Sequence, residues 1–81
     1  MDYFMKQDEK ELLEVLQKKT AEDQNIPYMR QLVADLGMNE KRAAYICEKW
    51  TEKGWYDYGV NVLAGWLTDE GKAIMPLCYE K

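Results

Sequence analysis

The chain contains no histidine, which removes imidazole acid–base catalysis, His-containing zinc sites and the usual His-activated nucleophiles. Its two cysteines, Cys47 and Cys78, stand far apart without a CxxC partner. Disulfide-stapled scaffolds use more, and a lone pair of thiols suits a reducing compartment. Apolar runs never approach the roughly 20 residues of a membrane span. Met1 leads through Asp2 into a charged segment rather than an apolar leader core. A soluble, cytoplasmic chain with no membrane partner is the expectation. Glycine-rich phosphate loops and metal-ligand clusters are also missing, so no cofactor, metal or enzymatic activity is expected. The acids Asp8, Glu9 and Glu11, and again Asp69 and Glu70, stand at helix starts where they favour the helix dipole, which explains them without catalysis.

Positive charge is scarce. Eleven Lys and Arg face fifteen Asp and Glu, a formal net charge of -4. Residues 1–25 carry four basic against seven acidic side chains, 26–53 five against four, and 54–81 two against four. Only the middle third is not negative. Between Lys53 and Lys72 there is no Lys or Arg at all. Such a balance argues against a nonspecific nucleic-acid coat. What is present is 47% apolar residues in 81, enough for one small domain over residues 1–81 that buries roughly 60% of its unfolded surface.

Periodicity divides the chain. Asp8 and Glu11 have capping-box spacing, and Leu12, Leu13, Val15 and Leu16 then form one side of a helix ending near Lys18 and Lys19. Phe4 and Met5 are expected to fold back on that stripe, and Thr20–Asn25 reads as a loop. A second helix opens at Ile26-Pro27, repeats Met29, Leu32, Val33 and Leu36, and ends at Gly37. Asn39 caps a third, whose inner stripe is Ala43, Ile46, Cys47 and Trp50 and whose stop is Gly54. The aromatic run Trp55–Tyr58 and the segment Leu63–Leu67 read as a hairpin turned at Gly59 and Asn61. Thr68-Asp69-Glu70 opens a last short helix through Met75, closed by Pro76. The fold class is α+β, mostly α, in the order helix, helix, helix, hairpin, helix.

Helix, glycine turn, helix and ribbon resemble a winged helix-turn-helix. The run Leu32-Val33-Ala34-Asp35-Leu36-Gly37-Met38-Asn39 is similar to the first helix and turn of that motif. Ala43–Trp55, ending Trp50-Thr51-Glu52-Lys53-Gly54-Trp55, resembles the recognition helix and exit of bacterial MarR-like regulators, with Trp50 at the leucine position. Leu67-Thr68-Asp69-Glu70-Gly71 resembles their Leu-Thr-x-x-Gly segment after the wing. The likeness spans about residues 8–75.

The resemblance implies a transcriptional regulator that reads double-stranded DNA in the major groove with the helix over 39–53. Base reading falls to Asn39, Glu40, Lys41, Ala44 and Tyr45, and phosphate contact to Arg42, Lys49 and Arg30. Taken alone, Lys41, Arg42 and Lys49 read as the solvated face of an amphipathic helix; the helix-turn-helix spacing around them favours DNA contact, while Glu40 at the helix tip repels phosphate. A homodimer is expected, since one helix covers few bases. The hairpin departs from the family pattern, because its tip, Tyr58-Gly59-Val60-Asn61-Val62-Leu63, has no cation to neutralise phosphate. The alternative is therefore a protein–protein interaction module using Tyr56, Tyr58, Val60 and Val62. Trp55, Trp66 and Leu67 are expected in the core. Cys47 reads as a small buried hydrophobe, and Leu77-Cys78-Tyr79 either plugs the core or docks on a second copy.

Overall fold

The computed structural model describes residues 2–22 and 29–78. Its elements are β1 (Asp2–Met5), α1 (Gln7–Glu22), α2 (Met29–Asp35), α3 (Glu40–Lys53), β2 (Tyr56–Asp57), a 3-10 turn (Val62–Ala64), β3 (Trp66–Leu67), α4 (Asp69–Lys72) and β4 (Met75–Cys78). The class is α+β with helix predominating, as the periodicity predicts.

The helix ends around α3 are set by local chemistry. Asn39 caps it, its side-chain oxygen accepting from the Lys41 and Arg42 amides. Gly37 follows α2 at φ 68° and Gly54 follows α3 at φ 82°, a left-handed conformation that costs glycine little. Each glycine closes the same pair of backbone hydrogen bonds. Gly37 and Met38 donate to the Ala34 and Val33 carbonyls, and Gly54 and Trp55 donate to those of Thr51 and Trp50. This pairing satisfies carbonyls that a helix end otherwise leaves open.

The core gathers Leu12, Leu13 and Leu16 of α1, Met29, Leu32 and Val33 of α2, and Ala43, Ile46, Cys47 and Trp50 of α3. Met5, Trp55, Tyr56, Leu63, Leu67 and Ile74 complete it. Each fully buried aliphatic contributes about 1.5–3 kcal/mol of transfer free energy, so these stripes are the main stabilising term in so short a chain.

Elsewhere the elements differ from the sequence expectation. The first helix begins at Gln7 and reaches Glu22, taking in the first part of the expected loop; Ile26 and Pro27 lie outside the described residues. Asp8 and Glu11 do not close a capping box. Glu11 accepts from the Gln7 side chain, and Asp8 accepts the Glu9 amide while its carboxylate is drawn across to Arg42. Met5 is buried but Phe4 is 61% exposed, because successive strand side chains point to opposite faces.

The hairpin is shorter than expected, pairing Tyr56 with Leu67 and Asp57 with Trp66. Leu63 and Ala64 belong to a tight turn, which Asn61 caps by accepting the Leu63 amide. Leu67 and Trp55 are buried as expected. Trp66 is a correction: it alternates outward beside Leu67 and is 38% exposed. The last helix stops at Lys72, and Met75–Cys78 is a strand running parallel to β1, with Pro76 opposite Tyr3 and Leu77 opposite Phe4. Pro76 thus closes no helix. It is tolerated because a strand in a two-stranded pair has a side that needs no donor. Leu77 and Cys78 therefore build the sheet; Tyr79 lies outside the described residues. No disulfide joins Cys47 to Cys78.

Candidate nucleic-acid interface

The exposed side of α3 divides into a ridge and a flank. Stepping 100° per residue away from the buried stripe places Lys41, Tyr45, Glu48 and Glu52 along the outermost ridge, and all four are exposed. Tyr45 is 58% exposed. Arg42, Lys49 and Lys53 form a cationic flank turned toward the N-terminal segment. On the other side Ala44 is half-buried and packs on the core.

Each flank cation has a partner. Arg42 donates Nε to Asp8 Oδ2 at 2.8 Å and Nη2 to Asp8 Oδ1 at 3.2 Å. This two-point grip holds the Asp8 carboxyl below its ordinary pKa, and Asp8 in turn raises that of Arg42. Lys49 donates to Glu9 Oε1 at 2.6 Å, and the Trp50 indole donates to Glu9 Oε2 at 2.8 Å. Lys53 stands 4.8 Å from the centroid of the Tyr3 ring and 5.6 Å from that of Trp55. Both Arg42 and Lys49 flank the Tyr45 ring, at 5.7 and 6.0 Å.

The two ion pairs differ in what their release costs. The Arg42–Asp8 side chains retain 29% and 42% of their exposure, so the pair stabilises by about 1 kcal/mol or less and exchanges easily. Glu9 is 1% exposed. Withdrawing Lys49 leaves a buried carboxylate with only an indole donor, a loss of several kcal/mol. Lys49 accordingly secures α3 to α1, which removes it from the expected phosphate contacts.

Of the other sequence-derived residues, Arg30 and Glu40 are exposed, and Asn39 is exposed with its side-chain oxygen committed to the cap. Around the hairpin, Tyr56 is a second correction. It is 1% exposed, its hydroxyl donating to the Val62 carbonyl at 2.7 Å and accepting the Gly65 amide at 2.9 Å. Burial raises its pKa well above the ordinary phenol value and pushes the Cys47 thiol up to about 12, so Cys47 is an inert core group. Tyr58 and Val62 are half-buried against the core; Val60 alone of the four is fully exposed.

Sequence reasoning missed Asp8 and Glu9 as partners of α3. Both look like ordinary first-turn acids, and nothing local links them to cations 34 and 40 positions away. Among the described residues, no group of His, Cys, Asp and Glu is arranged to hold a metal, and no helix is long and apolar enough to cross a membrane. No family model, curated protein or solved structure matches this chain.

Proposed function

We propose that this chain is a small winged helix-turn-helix regulator that inserts the N-terminal half of α3 into the major groove of duplex DNA. The observation carrying this reading is the exposure of Lys41 and Tyr45 on a helix whose opposite face is wholly buried, immediately after a glycine-closed turn from α2. A rigid helix with a bare leading end is what groove entry requires. Asn39, Glu40, Lys41, Ala44 and Tyr45 are the base-edge candidates. Arg30 and Arg42 are the phosphate candidates, Arg42 by exchanging Asp8 for a phosphate oxygen. Two copies acting as a homodimer double the small footprint of one helix.

A second reading, a protein interaction module, is favoured by Glu48 and Glu52 on the same ridge and by the uncharged hairpin tip at Val60. Selection of bound duplexes from a random pool, followed by titration of the enriched site at several salt concentrations, separates the two. With two phosphates neutralised per protomer, log K should fall with log salt at a slope of about -2 per protomer. Arg42→Ala should reduce that slope by about one, while Lys41→Ala should weaken binding to the enriched site and relax its specificity. No enrichment, or binding indifferent to salt, rejects DNA in favour of the interaction module.

A further inference from the structure

Beside the DNA-reading ridge, and sharing Tyr45 and Arg42 with it, lies a groove of about 210 Å3 between β1 and the cationic flank of α3. We infer that it docks an extended acidic peptide segment of a partner protein, one aromatic or large aliphatic side chain of which enters between Phe4 and Tyr45.

Three observations specify that occupant. The first is apolar: Phe4 and Tyr45, at 61% and 58% exposure, are among the most exposed large hydrophobic side chains of the described residues, and both line this one recess. Exposed aromatics lining one recess are the type of anchor site that interface cores use. The second is charge. Lys6, Arg42 and Lys49 line the groove; Glu9, buried at its floor, holds Lys49 and Asp8 holds Arg42, which leaves the exposed Lys6 as the uncompensated cation. A local excess of cations in a chain of net charge -4 selects an anionic partner and disfavours a second copy of this chain. Asp8 already illustrates the chemistry, seated on Arg42 by two hydrogen bonds.

The third observation decides between a peptide and a nucleic acid. Tyr3, Phe4, Met5 and Lys6 line the groove in succession, and no residue of β4 does. The groove therefore follows the side of β1 away from β4. Among the described residues β4 is the one strand paired with β1, so alternate main-chain groups of β1 face outward. An extended peptide completes such an edge with its own backbone while its side chains enter the recess. A nucleic-acid strand has no comparable use for it.

The test is panning of a displayed random-peptide library against the whole protein, followed by affinity measurement of the enriched peptides. Acidic sequences carrying an aromatic or large aliphatic residue should emerge. Phe4→Ala and Lys6→Glu should each weaken them roughly tenfold or more, while Val60→Ser and Lys41→Ala leave them unchanged. Phe4 and Lys6 are exposed, and circular dichroism of each variant checks that the fold is retained. Absence of enrichment, or peptides indifferent to both substitutions, overturns the proposal. So does oligothymidylate binding that Phe4→Ala abolishes, which assigns the recess to single-stranded nucleic acid. Because neither Phe4 nor Lys6 belongs to the DNA-reading set, peptide binding can fail while duplex binding stands, and the reverse.

Discussion

The buried Glu9 carboxylate accepts the indole N–H of Trp50 at 2.8 Å. Trp50 is fully buried near the C-terminal end of α3, so this bond connects the first turn of α1 to the core. Lys49 closes the opposite oxygen of the same carboxylate. Glu9→Gln keeps an acceptor for the indole and should cost about 1 kcal/mol. Glu9→Ala leaves the indole N–H unpaired and opens a void, and should cost about 3 kcal/mol. Urea unfolding of the two variants measures the difference. Equal losses would show that the indole contact adds nothing.

Asp8 gives the structure an acid-dependent contribution with a defined sign. Its folded pKa lies below 3.8, chiefly through the Arg42 hydrogen bond. A depressed carboxylate stabilises above its unfolded pKa, and that stabilisation disappears as pH falls through the folded value. Asp8→Asn should therefore be less stable than wild type at neutral pH by about 1 kcal/mol or less. The gap should close in acid below 3.8. Denaturation midpoints of both proteins across that range provide the check, and a gap that widens in acid contradicts the assignment.

Tyr56 and Val60 separate structural from surface roles in the hairpin. Tyr56→Phe removes a hydroxyl that serves both Val62 and Gly65 and should cost about 2 kcal/mol. Val60→Ser, at a fully exposed position, should stay within about 0.5 kcal/mol. Thermal unfolding compares them directly. A partner bound through the hairpin would instead be lost in Val60→Ser without any change in stability.

Much of the α2–turn–α3 unit is legible in the residues themselves. Caps, glycine stops and three-to-four spacing act over a single turn of chain, so Asn39, Gly37, Gly54 and the stripe Ala43, Ile46, Cys47 and Trp50 declare themselves locally. The exposure of Lys41 and Tyr45 follows from that stripe by geometry. The parallel pairing of β1 with β4 has no such signal. Asp2–Met5 and Met75–Cys78 are short, one contains proline, and they meet from opposite ends of the chain. Their hydrogen bonds exist only after the helices have brought them together. The hairpin was overextended in sequence for a related reason: Leu63 is apolar enough for a strand, yet Asn61 diverts it into a capped turn.

Helix boundaries and the inward stripe of α3 were written in residues within one turn of each other, where steric preference and capping bonds operate. Tertiary structure decided the electrostatics. It gave Arg42 to Asp8 and Lys49 to Glu9, turned Tyr56 inward and left Phe4 beside Tyr45. Charge pairing and burial depend on distances through space, and in a chain this acidic those distances determine which cations remain available to a partner.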